Sequence, residues 1–335
     1  MEYVFDGRAK KLTFILMAVG LLSIVLGFFG GDHASQRVWT SILISGFYFF
    51  GVGLTGTFFL AVQYAAESGW PTVLKRIFEG VAAYLPIGSL ALILVFLAGT
   101  FHFHHIYHWM DAELYDPASP HYDELIAHKQ AYLNLPFWWI RTIAYLAVYI
   151  WFTMLFRKRS LMEDELTVDP KPFFIKNQTL AAVFLVFFGY TSVTASWDWI
   201  MSIDTHWFST IFGWYIFSGM WISGMVMMTL LVVYLKGKGL MEFVNDSHMH
   251  DMGKWVFAIS FLWTYLFFCQ FMLYWYSDIP EEVMYFQARI NDYTWLFWGT
   301  LLINFIFPML LLMSKDAKRN PGFLVFVGVI IFFGH

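Results

Sequence analysis

Nine apolar runs separated by polar gaps organise this chain: 12–29, 38–66, 80–101, 136–156, 177–197, 209–235, 253–276, 293–314 and a ninth from Gly322. A helix needs about 20 apolar residues to cross the hydrocarbon core, so the first eight runs each predict a membrane-spanning helix. The ninth reaches His335 after about fourteen apolar residues, short of a crossing. The expectation is a helix cut before its end, in a natural protein longer than this chain. Trp39, Trp70, Trp109, Trp138, Trp139, Trp207 and Trp214 fall near the predicted helix ends, where indoles anchor at the interface. The predicted class is an all-α, polytopic integral membrane protein formed by residues 1–335 as one domain.

Charge then orients the helices. Every second gap is basic: Arg8, Lys10 and Lys11; Lys75 and Arg76; Arg157, Lys158, Arg159, Lys171 and Lys176; Lys236, Lys238 and Lys254; Lys315, Lys318 and Arg319. The alternate gaps hold only Arg37, Lys129 and Arg289, and Arg141 lies inside an apolar run. Basic loops resist translocation, which predicts a cytoplasmic N-terminus and puts the His- and acid-rich gaps outside. Only 13% of residues are charged, against about 25% in soluble domains, and no basic patch points to nucleic acid. The run 12–29 follows a basic stretch but lacks a small-residue cleavage site, so it reads as a retained signal anchor. The one cysteine, Cys269, sits in an apolar run; disulfides, thiolate metal sites and covalent haem c within this chain are excluded. No two runs carry histidines at matching depth for a membrane haem b.

GFYFFGVGLTGTFFLAVQY from Gly46 and FGWYIFSGMWISGMVMMTLLVVY from Phe212 share a mixture of aromatic and small residues. Each precedes a basic gap and then a run ending in aromatic and acidic residues. An offset of four helices keeps orientation, which suits a parallel repeat of two four-helix bundles, 38–197 and 209–335. The alternative is the general likeness of membrane helices.

Chemistry concentrates at two outer segments. FHFHHIYHWMD, Phe101 to Asp111, ends the third run. If helical, it sets His104 and His108 on one face at i,i+4 spacing, as zinc ligands stand; otherwise these are solvated interfacial groups that titrate near neutrality. SWDWIMSIDTHWFSTIFGWY, Ser196 to Tyr215, holds Asp198, Asp204 and His206. Ser202, Asp204 and Thr205 suit turn and capping roles before the next helix, and the indoles suit anchoring. The functional alternative is a half-buried proton-exit or docking surface. Asp198 is the acid nearest the membrane interior, and Arg141 could pair with it or snorkel to headgroups. At the inner face Glu67 and Glu79 flank Lys75 and Arg76, either as a salt-bridged turn or as a proton entrance. Gln270 and Asn304 are the deepest polar groups, explained by interhelical hydrogen bonds. No Asp, Glu or Lys falls near a predicted midplane, so a proton path would run over hydroxyls and water.

Ser196–Tyr215, the His-rich end of the third run, and GLTGTFFLAVQYAAESGWPTVLKR from Gly53 together resemble a known family. It is the quinone-binding subunit 2 of bacterial alternative complex III, among the NrfD/PsrC-like membrane proteins. Its most specific part here is W-D-W-x-M-S-x-D-x-H-W-F-S-T. The resemblance implies about ten membrane helices, nine of them visible and the last incomplete, as two four-helix bundles plus peripheral helices. It implies a quinol:cytochrome c oxidoreductase in the bacterial cytoplasmic membrane. Multihaem and monohaem cytochrome c proteins, an iron–sulfur protein, a homologous NrfD-like membrane protein of the same fold and a terminal oxidase are the implied partners. Haem c and iron–sulfur clusters would sit in those partners, with no cofactor on this chain alone, though quinone could contact it. The residues that could carry quinol chemistry over are His102, His104, Asp198 and Asp204, while the homologous membrane partner is the favoured site of quinol oxidation.

The reading is a subunit that supports electron transfer from quinol, with His102, His104, Asp198, Asp204 and His206 at an outer proton-release or docking site. Glu67 and Glu79 mark the inner entrance. Its rivals are a structural scaffold and a secondary transporter. A transporter is disfavoured by the lack of a midplane charge and of a Gly/Pro-broken helix pair.

Overall fold

The computed structural model describes residues 5–165 and 169–335, and among them every regular element is helical. Eight helices among the described residues are long and apolar enough to cross a membrane. The protein is therefore a polytopic all-α membrane protein. The helices run in sequence order as α1 (Gly7–Phe28), α2 (Asp32–Ala65), α3 (Lys75–Ala82), α4 (Leu85–Thr100) and a short α5 (Glu124–His128). Then come α6 (Leu135–Asp164), α7 (Lys171–Trp199), α8 (Thr210–Gly237), α9 (Asp246–Ser277) and α10 (Pro280–Asn291). The chain continues through α11 (Thr294–Leu301), a π-helical turn (Leu302–Ile306), α12 (Phe307–Leu311), α13 (Lys315–Arg319) and α14 (Pro321–Gly334).

The starts of these helices are written locally. Asn134 caps α6 by accepting the Phe137 amide, with Pro136 in the first turn where a missing N–H is harmless. Asn320 and Pro321 repeat the device at α14, and Asn245 with His248 forms a capping box at α9. Two helices are broken by proline. Pro86 has no amide for the Ala82 carbonyl, and the third run divides into α3 and α4 there. Pro308 likewise frees the Asn304 carbonyl, and the chain widens into the π-turn. Asn304 sits in that turn and donates its amide to the Gly334 carbonyl at 2.8 Å. The sequence suggested no such breaks; they fall in the third and eighth runs, which are not partners at an offset of four.

α2 is the central post. It packs on α3, α4, α6 and α7 and also on α8, which in turn packs on α7, α9 and α14. At the crossing of α2 and α8 the backbones nearly touch: a Cβ added at Gly224 would stand 2.3 Å from the Thr55 Cβ. Thr55 Oγ1 also donates to the Met220 carbonyl across the contact at 3.0 Å. Small residues permit this approach, and in lipid close packing is the main source of helix association. α1 is the opposite case. None of its residues is buried, it is apolar all round, and it rests against α2 through Phe28 on Trp39.

Two expectations from the apolar pattern need correcting. The gap 277–293 is not a bare connection: Pro280, Glu281 and Glu282 open α10 and Arg289 lies in its last turn, matching the helix dipole. Its Phe286 packs on Phe267, Phe271, Tyr274 and Phe297, and Tyr285 stacks on Trp207. Several supposed interfacial anchors are core instead. Trp109, Trp138 and Trp207 are buried, because the connections beside them fold back over the helix ends.

Candidate functional site

The site grows from the way α4 stops. The His102 amide bonds the Gly99 carbonyl and the Phe103 amide the Ala98 carbonyl, the paired bonds of a Schellman end. His102 occupies the left-handed position, φ 58°, that glycine usually fills. The helix therefore ends at Thr100, and the predicted shared face of His104 and His108 does not form. His104 turns inward instead. It is buried, its Nε2 lies 2.9 Å from the Val95 carbonyl, and its Nδ1 accepts the Ile106 amide at 3.3 Å. That pairing makes Nε2–H the donor. Burial lowers its pKa below the ordinary imidazole value, with the Val95 bond opposing. His104 ties the helix end to its own loop and does not line the cavity of the other histidines.

His102, His105 and His108 stay exposed and line a cavity of about 800 Å³ with Asp111, Glu113, His121, Asp123, Asp204 and His206. Asp111 Oδ1 lies 3.2 Å from His102 Nδ1, and Asp111 Oδ2 lies 3.8 Å from His105 Nδ1. Across the cavity, His206 Nε2 meets Asp123 Oδ2 at 2.7 Å. Asp123 also caps α5 through the Ile126 amide. Its carboxyl lies below the usual carboxylate range: partial desolvation opposes this, and the Ile126 bond and His206 outweigh it. Lys129 donates to the Thr205 carbonyl and is lowered by burial, against the pull of Asp204 and Asp123. Tyr115 fastens the loop by donating to the Trp109 carbonyl at 2.7 Å, and burial pushes its hydroxyl up to about 12.

Asp198 is not in that cavity. It is fully buried in the last turn of α7 and gripped by Arg141 through two bonds, Nε to Oδ2 at 2.8 Å and Nη2 to Oδ1 at 2.7 Å. Of the two fates weighed for Arg141, pairing is the one realised. Arg141 also donates to the Tyr132 carbonyl at 3.1 Å and lies against the Tyr132 and Phe137 rings, 3.9 and 4.3 Å from their centroids. The Asp198 carbonyl takes bonds from Trp138 Nε1 and Ser202 Oγ, and the Trp199 carbonyl takes one from Tyr107. The capping roles considered for this segment are not used. Ser202 bonds backward to Asp198, Asp204 is exposed toward the cavity, and α8 begins at Thr210 with no side-chain cap from Ser209.

At the basic end the two glutamates are not brought together. Glu67 is another Schellman residue, φ 52°, exposed and bonded by Gln178 at 2.8 Å. Glu79 is buried between Arg76 and Arg157. α6 runs two turns further than its apolar run, so that Glu163 pairs with Lys75 and Asp164 with Arg76. Sequence reasoning missed Glu163 and Asp164, as well as Asp123 and His121 in the cavity. The signal available was the density of acids in those gaps. A second cavity of about 700 Å³ lies between α2, α8 and α9, lined by Phe47, Tyr48, Tyr215, Trp263 and the chain's last residues, Gly334 and His335.

These features define a class: an all-α polytopic membrane protein with a titratable vestibule at its His-rich end and a buried Arg–Asp clamp beside it. No protein-family model matches the chain, and no curated protein matches it.

Proposed function

We propose that this chain is an integral membrane subunit of a bacterial quinol:cytochrome c oxidoreductase, of the quinone-binding, NrfD-like kind found in alternative complex III. It would lie in the cytoplasmic membrane with its N-terminus inside and its vestibule facing the cytochrome and iron–sulfur partners. The observation that carries the reading is how the motif Ser196–Tyr215 is deployed. One short segment supplies Asp198 to the clamp and Asp204 and His206 to the vestibule, opposite His102, His105 and His108. Imidazoles and carboxylates gathered at one end, lining one cavity, suit the release of protons when quinol is oxidised nearby. The turn from Lys129 to Tyr132 links the two places, holding Thr205 on one side and Arg141 on the other.

A scaffold role has its own support: both Asp198 oxygens are engaged by Arg141, which suits a fixed strut as well as a relay. Purification of the tagged chain from its native membrane tests the main reading. It should bring down c-type haem polypeptides and quinol-dependent reduction of cytochrome c; elution without haem would end it. Within such a complex, Asp204→Asn with His206→Gln should slow proton release while assembly stays intact. Unchanged release would favour the scaffold.

A further inference from the structure

We propose that His102, His105 and Asp111 form a zinc site at the His-rich end of the molecule. Their ligand atoms all lie within 4.8 Å of one another. Zinc held tetrahedrally, with bonds of about 2.0–2.1 Å, sets its ligands about 3.3 Å apart. His102 Nδ1 and Asp111 Oδ1 are already 3.2 Å apart, and His105 Nδ1 stands 3.8 Å from the other carboxylate oxygen. A modest rotation of the His105 side chain closes the set. Two imidazole nitrogens and one carboxylate oxygen are a zinc-like donor set, whereas magnesium and calcium take oxygen almost alone.

The backbone around the three residues is fixed independently of any ion. His102 is locked in the left-handed turn that ends α4, and the His105 amide is held by Gln36 Oε1 at 3.3 Å. Between the ligands, His104, Ile106, Tyr107, Trp109 and Met110 are buried and anchor the loop from below. The ligands therefore start near their bound geometry, which reduces the ordering that binding must supply. The fourth position opens on the vestibule, where His108, His121 and Glu113 line the same cavity. Such an open position takes water or an incoming group. This assignment does not depend on the respiratory reading; it would hold for any membrane protein with this loop.

The test is titration of the full-length protein in detergent with Zn2+ in excess Mg2+, followed by calorimetry and metal analysis. One zinc per chain is expected, and Co2+ in its place should give the visible absorption of a four-coordinate ion. His102→Gly suits the positive φ and preserves the turn, and Asp111→Asn preserves shape. Each should weaken zinc by at least about 100-fold, the upper end of what losing a mere supporting partner costs. His128→Ala, an exposed histidine outside the cavity, should bind as the unaltered protein does. Failure of the unaltered chain to hold stoichiometric zinc, or undiminished binding by either ligand variant, overturns the assignment.

Discussion

Arg141→Met removes the only cation bonded to a fully buried carboxylate among the described residues around Asp198. Breaking a buried pair from one side costs about 3–5 kcal/mol, because the remaining charge keeps its desolvation penalty. Asp198→Asn should cost less, about 2–3 kcal/mol. Arg141 would keep the Tyr132 carbonyl and its two aromatic faces, and a desolvated cation–π contact is worth up to about 2 kcal/mol. A loss of 3 kcal/mol is roughly 150-fold in the unfolding equilibrium. The double variant should fall short of the sum by at least about 1.5 kcal/mol, within the range for residues in direct contact. Unfolding in mixed detergent–SDS micelles, followed by tryptophan fluorescence, reads these values, since the Trp138 indole donates to the Asp198 carbonyl and the Trp199 indole to Thr142, next to Arg141. Two single variants each losing under about 1 kcal/mol, or a cycle additive within about 0.5 kcal/mol, would refute the clamp as a structural charge pair.

Other consequences are open to measurement. Glu79→Gln leaves Arg76 and Arg157 facing each other without their shared carboxylate, and should destabilise by about 1 kcal/mol in the same assay, since both guanidinium groups stay partly solvated. Gly224→Ala should cost about 1–3 kcal/mol through overpacking on Thr55, a loss that Thr55→Gly in the same chain partly restores, because the atom nearest the added methyl is the Thr55 Cβ. The pH behaviour of the α4 end has a definite sign. Burial sets His104 below the unfolded histidine value of about 6.5, so the unfolded form binds more protons. The stability it contributes is whole above about pH 6.5 and drains as pH falls toward the lowered folded value. Amide exchange at Ile106 and Tyr107, corrected for its intrinsic pH dependence, should quicken between about pH 7 and pH 5. His104→Gln should abolish that dependence, and persistence of it would assign the effect elsewhere.

The apolar runs located the membrane helices because long hydrophobic stretches have few other uses, and the structure places a helix on each of them. What the pattern could not carry was the shape of the connections. α10 is short and amphipathic, too polar on average to register as a run, and it forms because its first and last turns are correctly charged. The FHFHHIYHWMD segment looks like a helix continuing, yet it turns at His102, a conformation no hydrophobic pattern encodes. The fate of Arg141 was legible only as a choice of two, pairing with a carboxylate such as Asp198 or snorkelling to headgroups, and the fold decides for pairing. Its aromatic stacking partners, Tyr132 and Phe137, come from the preceding loop and the helix's own first turn. Trp138 and Trp199 read as surface anchors because indoles at helix ends usually are; Tyr107 and Trp109 of the loop cover Trp138, and Phe47, Phe50, Phe96 and Tyr145 of the neighbouring helices enclose Trp199.

The crossing of α2 and α8 bears on what kind of machine this can be. With the Thr55 hydroxyl keyed into the Met220 carbonyl and no room at Gly224 for even a methyl, the helix groups on either side are pinned together at a single tooth. Rocking of one group against the other, the motion on which alternating-access carriers depend, would have to unseat that tooth; the Thr55 hydroxyl would keep its bond to the Gly51 carbonyl, so the cost lies in the lost close packing. The architecture favours a stationary frame over a rocking one.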